Sequence, residues 1–130
     1  MFLDASAIVS ILTLEDDYRD LASRLDAAEG PITSAIAIYE AALAVARKKR
    51  VEIDSAREEI ENFLQRVEAR VLPIDSGTGR LALAAQATFG KIVGHPAKLN
   101  MGDYFAYAMA KQHGVPLLYK GDNFAQTDLA

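Results

Sequence analysis

"MFLDASAIVSIL", residues 1–12, opens on a short apolar run that stops at Asp4 and continues as small and apolar residues at helical spacing. The pattern reads as a buried strand ending near Asp4, followed at once by a short helix over "AIVSIL". Asp4 is the only charged residue between Met1 and Leu14. A carboxylate there can cap the helix that begins at Ala5 or Ser6, or it can serve chemistry at the end of the strand. The rest of the chain bears on that choice.

The strand–helix unit recurs. "EDDYRDLASRLDAAEG" reads as a polar amphipathic helix ending at Gly30, and "PITS" as a brief strand after a proline. "AIAIYEAALAVARKKR" follows as a long apolar helix with a basic end. Asp54 or Ser55 is expected to cap the next helix, with Glu58 completing a capping box. "RVLPID" reads as a strand and "SGTGRLALAAQATFG" as a helix capped by Asp75 or Ser76; "KIVGHPAKLN" reads as a loop. "LNMGDYFAYAMA", residues 99–110, is a greasy helix running to about His113, stopped by Gly114 and Pro116. "VPLLYK" is the last clear strand, and "GDNFAQTDLA" a loop or short turn. Short apolar strands alternating with helices predict an α/β fold with a mostly parallel sheet covered on both faces. Ligands of such sheets gather beyond the carboxyl ends of the strands.

Composition is compatible with one domain over residues 1–130: half the residues are hydrophobic and a quarter are charged. No cysteine is present, which excludes disulfides, thiolate catalysis and zinc–cysteine sites and fits a reducing cytoplasm. No apolar run is long enough for a membrane span, and nothing reads as a signal peptide. The net charge of −4 does not by itself suggest a nucleic-acid binder.

Four carboxylates stand apart from this ordinary background. Besides Asp4, Glu40 is the only charge from Ala35 to Ala46, mid-helix in an apolar run. Asp103 opens a segment in which every residue from Tyr104 to Ala110 is apolar or aromatic. Asp122 follows directly on the last strand. Each has a local explanation as a cap, a dipole partner or a turn residue. Together they fall at one rim of the predicted sheet, with Glu40 able to reach that rim from its helix. Carboxylates so gathered repel one another and need protons or cations, and an oxygen-only set suits Mg²⁺ or Mn²⁺. Hard cations in such a cluster can activate water against a phosphodiester. His95 and His113 read as surface or capping residues, and "DSGTG" lacks the lysine of a phosphate loop.

These residues in this order resemble a PIN domain, and more narrowly a VapC-type toxin of a toxin–antitoxin pair. "MFLDASAIVSIL", "ITSAIAIYEAALA" and "LNMGDYFAYAMAKQHGVPLLYKGDNFAQTD" carry the resemblance, while residues 50–95 share only its pattern. The resemblance implies a three-layer α/β/α fold with a sheet of four to five strands, and Mg²⁺- or Mn²⁺-dependent endoribonuclease activity. It further implies homodimers and inhibition by a VapB-type antitoxin. Asp4, Glu40 and Asp103 would form the metal cluster, with Asp122 completing it, possibly through water. Ser6 and Thr33 would sit at its edge and orient water or a carboxylate. Relatives often carry an acid where this chain has Asn123, one place after Asp122.

Removing the four acids from the charge count brings −4 to 0 (−4 + 4 = 0), so a metal-loaded cleft would attract phosphate. Lys120 is the best-placed candidate contact for RNA; Arg47, Lys48 and Arg50 of "RKKR" are others, although complementing a helix dipole explains that run equally well. Rival readings are a metal-dependent phosphatase and a PIN-like RNA- or protein-binding module whose site is inactive. The phosphatase would want a second acid two places after Asp4, where Ser6 stands, and a receiver domain would want an early acid pair that is missing.

Overall fold

The structure is a computed structural model that describes residues 1–90, 100–125 and 127–129. The expected loop at residues 91–100, with His95, lies outside them except for Asn100. Four short strands form one parallel sheet: β1 (Phe2–Leu3), β2 (Ile32–Thr33), β3 (Arg70–Val71) and β4 (Leu117–Leu118), in the order β3-β2-β1-β4. Phe2 pairs with Ile32 on one side and Leu117 on the other, so β1 is central. Successive connections move outward through β2 and β3, then return to the far side of β1 at β4. The strand order therefore reverses between β1 and β4, which is where an open parallel sheet leaves a crevice.

Among the described residues, six helices connect the strands: α1 (Ala5–Leu12), α2 (Tyr18–Asp26), α3 (Ala35–Lys49), α4 (Ile53–Arg66), α5 (Ser76–Phe89) and α6 (Met101–His113). The alternation of side chains along a strand sorts them into two layers. Leu3 and Leu118 face a core with Ile8, Leu21, Val45, Ile60 and Phe63 from α1 to α4. Their neighbours Phe2 and Leu117 face a second core with Ala82, Tyr107, Met109 and Phe124, built chiefly on α5 and α6. Phe2, Leu3, Ile8, Met109 and Leu118 are at most 1 % exposed, and burying each contributes roughly 1.5–3 kcal/mol. This is the three-layer arrangement expected, with four strands among the described residues.

Local chemistry sets most helix ends. Ser34 caps α3 by accepting from the Ala37 amide (3.2 Å), and Arg47, Lys48 and Lys49 complement the dipole in its last turn. Of the two expected caps of α5, Asp75 is the one that serves, in a capping box with Thr78. Gly114, at φ +63°, ends α6 in the left-handed conformation that glycine adopts without strain. Helices α2 and α4 differ from expectation. Helix α4 starts at Ile53 with Glu52 as its cap residue and no side-chain cap, so Asp54 lies in the first turn, where it serves the dipole. Helix α2 spans only Tyr18–Asp26: "EDD" precedes it outside the helix, and its C-cap is Ala27 rather than Gly30.

Candidate active site

Asp4 follows the last residue of β1 and is the N-cap of α1. Its Oδ2 accepts from the Ser6 amide at 3.0 Å and the Ser6 hydroxyl at 2.5 Å, and the residue is 4 % exposed. Asp103 is the third residue of α6, in a reciprocal capping box with Asn100. The Asn100 side chain accepts from the Asp103 amide (3.1 Å), while Asp103 Oδ2 accepts from the Asn100 amide (3.0 Å) and from Asn123 Nδ2 (3.1 Å). Both acids are therefore caps, as the local reading of each allowed, and both also line one cleft. That cleft, of about 460 Å³, opens between the carboxyl ends of β1 and β4 and receives Glu40 from the middle of α3.

Glu40 is the least supported of the three. It is half-buried, yet no described residue donates a hydrogen bond or an ion pair to its carboxylate. Burial raises its pKa, and the charges of Asp4 and Asp103 raise it further. The Asp4 pKa is raised by burial against the pull of Ser6, with the Asp103 charge adding to the rise. Burial likewise raises the Asp103 pKa, opposed by donors from Asn100 and Asn123. Three carboxylates from three separate elements thus destabilise one another's charged forms across one cleft. Such coupling is a frequent signature of functional sites.

No three acids or histidines among the described residues already stand in metal-holding geometry. The chemistry of the donor set nonetheless fits a hard divalent cation: it is all oxygen and anionic, and Glu40 has no competing partner among the described residues. Each of the two aspartates has Oδ2 held by protein donors, which fixes its orientation.

The other expected residues divide. Ser6 lines the cleft and links Asp4 to the β4 side, since its oxygen also accepts from the Lys120 amide (2.9 Å). Thr33 is fully buried and donates to the Leu3 carbonyl (2.9 Å), so its hydroxyl ties β2 to β1 rather than touching a carboxylate. Asp122 is exposed and does not line the cleft. A turn at Gly121, with φ +91°, brings the next residue, Asn123, there instead. Lys120, Arg47 and Lys48 all line the cleft, so the start of the basic run lies at the site. Arg50 is exposed at the left-handed end of α3 and lies outside the lining, as does His113 at the end of α6.

Sequence reading overlooked Glu15. Its Oε2 accepts from both Lys48 Nζ (2.9 Å) and Lys120 Nζ (3.0 Å) at the cleft rim. Burial pushes its pKa up, but the two lysines outweigh that and hold it below the usual range. Nothing in "TLEDD" distinguishes Glu15 from its acidic neighbours; only the approach of α3 and the β4 loop does. Asn100 was overlooked for a similar reason, since its role appears only once α6 is seen to begin after it.

A three-layer fold with its acids at the switch point of a short parallel sheet is the arrangement of a recognised class. The PIN domain model matches residues 1–129, and the chain belongs to the PIN domain family. It is 43 % identical to a VapC ribonuclease of Rhizobium meliloti, with 98 % of each chain covered. It is 38 % identical to ribonuclease VapC28 of Mycobacterium tuberculosis, over 98 % of this chain and 93 % of that one. Among solved structures it is similar in fold to Mycobacterium tuberculosis VapC20, described as a sarcin–ricin loop cleaving toxin. That match has a TM-score of 0.73 at 16 % identity and covers 99 % of this chain and 95 % of the other. A toxin–antitoxin complex from Klebsiella pneumoniae matches with a TM-score of 0.69 at 16 % identity, covering 98 % and 92 %.

Proposed function

We propose that this chain is a VapC-type toxin: an endoribonuclease that hydrolyses RNA phosphodiester bonds with the help of Mg²⁺ or Mn²⁺. The observation that carries the reading is Glu40, a half-buried carboxylate without a donor among the described residues, facing Asp4 and Asp103 across one cleft. Near full-length likeness to named VapC ribonucleases supports the reaction class.

Asp4, Glu40 and Asp103 would hold the cation. A bound divalent ion supplies positive charge for the phosphate in flight and lowers the pKa of water toward neutrality. Ser6 keeps the Asp4 carboxylate oriented, and Asn100 and Asn123 do the same for Asp103. That Asn123 lines the cleft while Asp122 does not supports leaving Asp122 out of the cation's ligands. Asp122 stands outside this set. Arg47, Lys48 and Lys120 offer cations at the rim to the RNA backbone, with Glu15 holding the two lysines in place. The chain would act in the cytoplasm, where RNA and a cognate VapB-type antitoxin would meet it, and it would work as a homodimer. The toxin–antitoxin complex among its structural relatives supports the antitoxin partnership. No helix among the described residues is long and apolar enough to cross a membrane.

The test is incubation of purified, antitoxin-free chain with total cellular RNA in Mg²⁺, Mn²⁺ or EDTA, beside Asp4→Asn. Discrete fragments that require both metal and Asp4 are expected. A folded wild-type chain that cleaves nothing with either metal would return the binding-module reading.

A further inference from the structure

Gly102 is the second residue of α6, immediately before Asp103, and it is buried. A Cβ built on it would find Oε1, Oε2 and Cδ of Glu40 as its three nearest atoms, all under the 3.0 Å that real Cβ contacts respect. The oxygen edge of the Glu40 carboxyl group therefore occupies the space that a side chain at residue 102 would take. No described residue donates a hydrogen bond to that carboxylate. Among the described residues, its position rests on the path of α3 and on the absence of a side chain at residue 102.

We propose that Gly102 is a positioning residue for Glu40: it leaves open the seat from which the carboxylate faces Asp4 and Asp103. The proposal rests on the reading of this cleft as a metal-dependent ribonuclease centre. Glycine is a poor helix former compared with alanine, and α6 needs no left-handed conformation at residue 102. Helical stability alone would favour alanine. The atoms in the way belong to the free end of a flexible side chain rather than to backbone. A methyl group at residue 102 thus displaces the Glu40 carboxylate and leaves the fold standing. Displacement of about 1 Å at a reacting centre is enough to cost about a hundredfold in rate.

The experiment compares the full chain with Gly102→Ala, Glu40→Ala and the double variant, and uses Gly79→Ala as the control. Gly79 is a helical glycine in α5 with nothing within 4 Å of its added Cβ, so it reports helix propensity alone. Mn²⁺ affinity is measured by titration calorimetry, the melting temperature in EDTA by scanning calorimetry, and cleavage on RNA. Gly102→Ala is expected to weaken Mn²⁺ binding by about tenfold or more and cleavage by about a hundredfold. Its melting temperature in EDTA should equal or exceed that of the wild type. In the Glu40→Ala background the same substitution should weaken Mn²⁺ binding no further. If Gly102→Ala alone fails to fold, recovery of the fold in the double variant would carry the same contact. Wild-type Mn²⁺ affinity in Gly102→Ala would overturn the proposal, as would equal weakening with and without Glu40, or a double variant that also fails to fold. A wild-type chain that binds Mn²⁺ but cleaves no RNA would instead overturn the ribonuclease reading, and the calorimetry would still decide the Gly102–Glu40 contact.

Discussion

Replacing Asp103 by asparagine should abolish cleavage and at the same time make the metal-free protein more stable. The carbonyl of an asparagine can take the place of Oδ2 and accept from the Asn100 amide and Asn123 Nδ2, which lie 3.0 and 3.1 Å away. Two hydrogen bonds to a charged acceptor become neutral ones, a loss of about 0.5–1 kcal/mol each. Removing a negative charge from the first turn of α6 costs about 0.5 kcal/mol more. Against these losses of about 2 kcal/mol stands the desolvation of a carboxylate only 7 % exposed, several kcal/mol per buried ion, together with repulsion between Asp103 and both Asp4 and Glu40. The net expectation is a gain of about 1–2 kcal/mol, or roughly 3–6 °C in Tm. The sign should follow pH. Burial raises the folded-state pKa of Asp103 above its unfolded value, so the native state binds the proton more tightly. That contribution to stability is fully present below about pH 4 and is lost as pH rises through the folded pKa. The advantage of the variant over wild type should therefore be small near about pH 4 and full at neutral pH. Divalent cation reverses the order, because it stabilises the wild type by about 2.7 kcal/mol at a hundred times Kd. Urea denaturation in EDTA and in Mn²⁺ at both pH values reads all of this. An Asp103→Asn protein at least 1 kcal/mol less stable than wild type in EDTA at neutral pH would refute the reasoning.

Further substitutions probe other parts of the structure. Lys48→Ala and Lys120→Ala, made in the cleavage-dead Asp4→Asn chain, should each reduce the slope of log affinity for RNA against log salt by about one; filter binding across salt checks this, and unchanged slopes would remove these lysines from the RNA path. Asn123→Asp adds a fourth acid to the cleft, so it should tighten Mn²⁺ binding in calorimetry and lower the metal-free Tm; a lower Tm without tighter binding would count against a cation at this cleft. Met109→Ala empties a position that is 0 % exposed in the core beneath α6, and should cost about 2–5 kcal/mol in urea denaturation without altering Mn²⁺ affinity.

Much of this molecule is legible in its sequence. Phe2 and Leu3 sit at the start of an apolar run that can only be buried on both faces, and the structure places them in two different cores. Glu40 stood out because eleven apolar neighbours leave an acid no ordinary reason to be there. What sequence could not resolve was direction at short range. Asp122 and Asn123 are adjacent polar residues after a strand, and the backbone turn at Gly121 decides which one reaches the cleft. Thr33 ends its strand as expected, but its hydroxyl is taken by the Leu3 carbonyl, a partner thirty residues away in sequence. The bridge from Glu15 to Lys48 and Lys120 joins three distant segments, and no local pattern encodes it. Gly102 carries no sequence signal either, because its significance is the space it leaves for a side chain from another helix.

The most direct test of the cleavage centre is the single-turnover rate on one RNA substrate for wild type, Asp4→Asn, Glu40→Gln, Asp103→Asn and Asp122→Asn, each verified as folded. Loss of cleavage in the first three variants, with the rate of Asp122→Asn near that of wild type, is the expected result. Full activity in any of the first three, or loss confined to Asp122→Asn, would contradict the assignment of the centre to Asp4, Glu40 and Asp103.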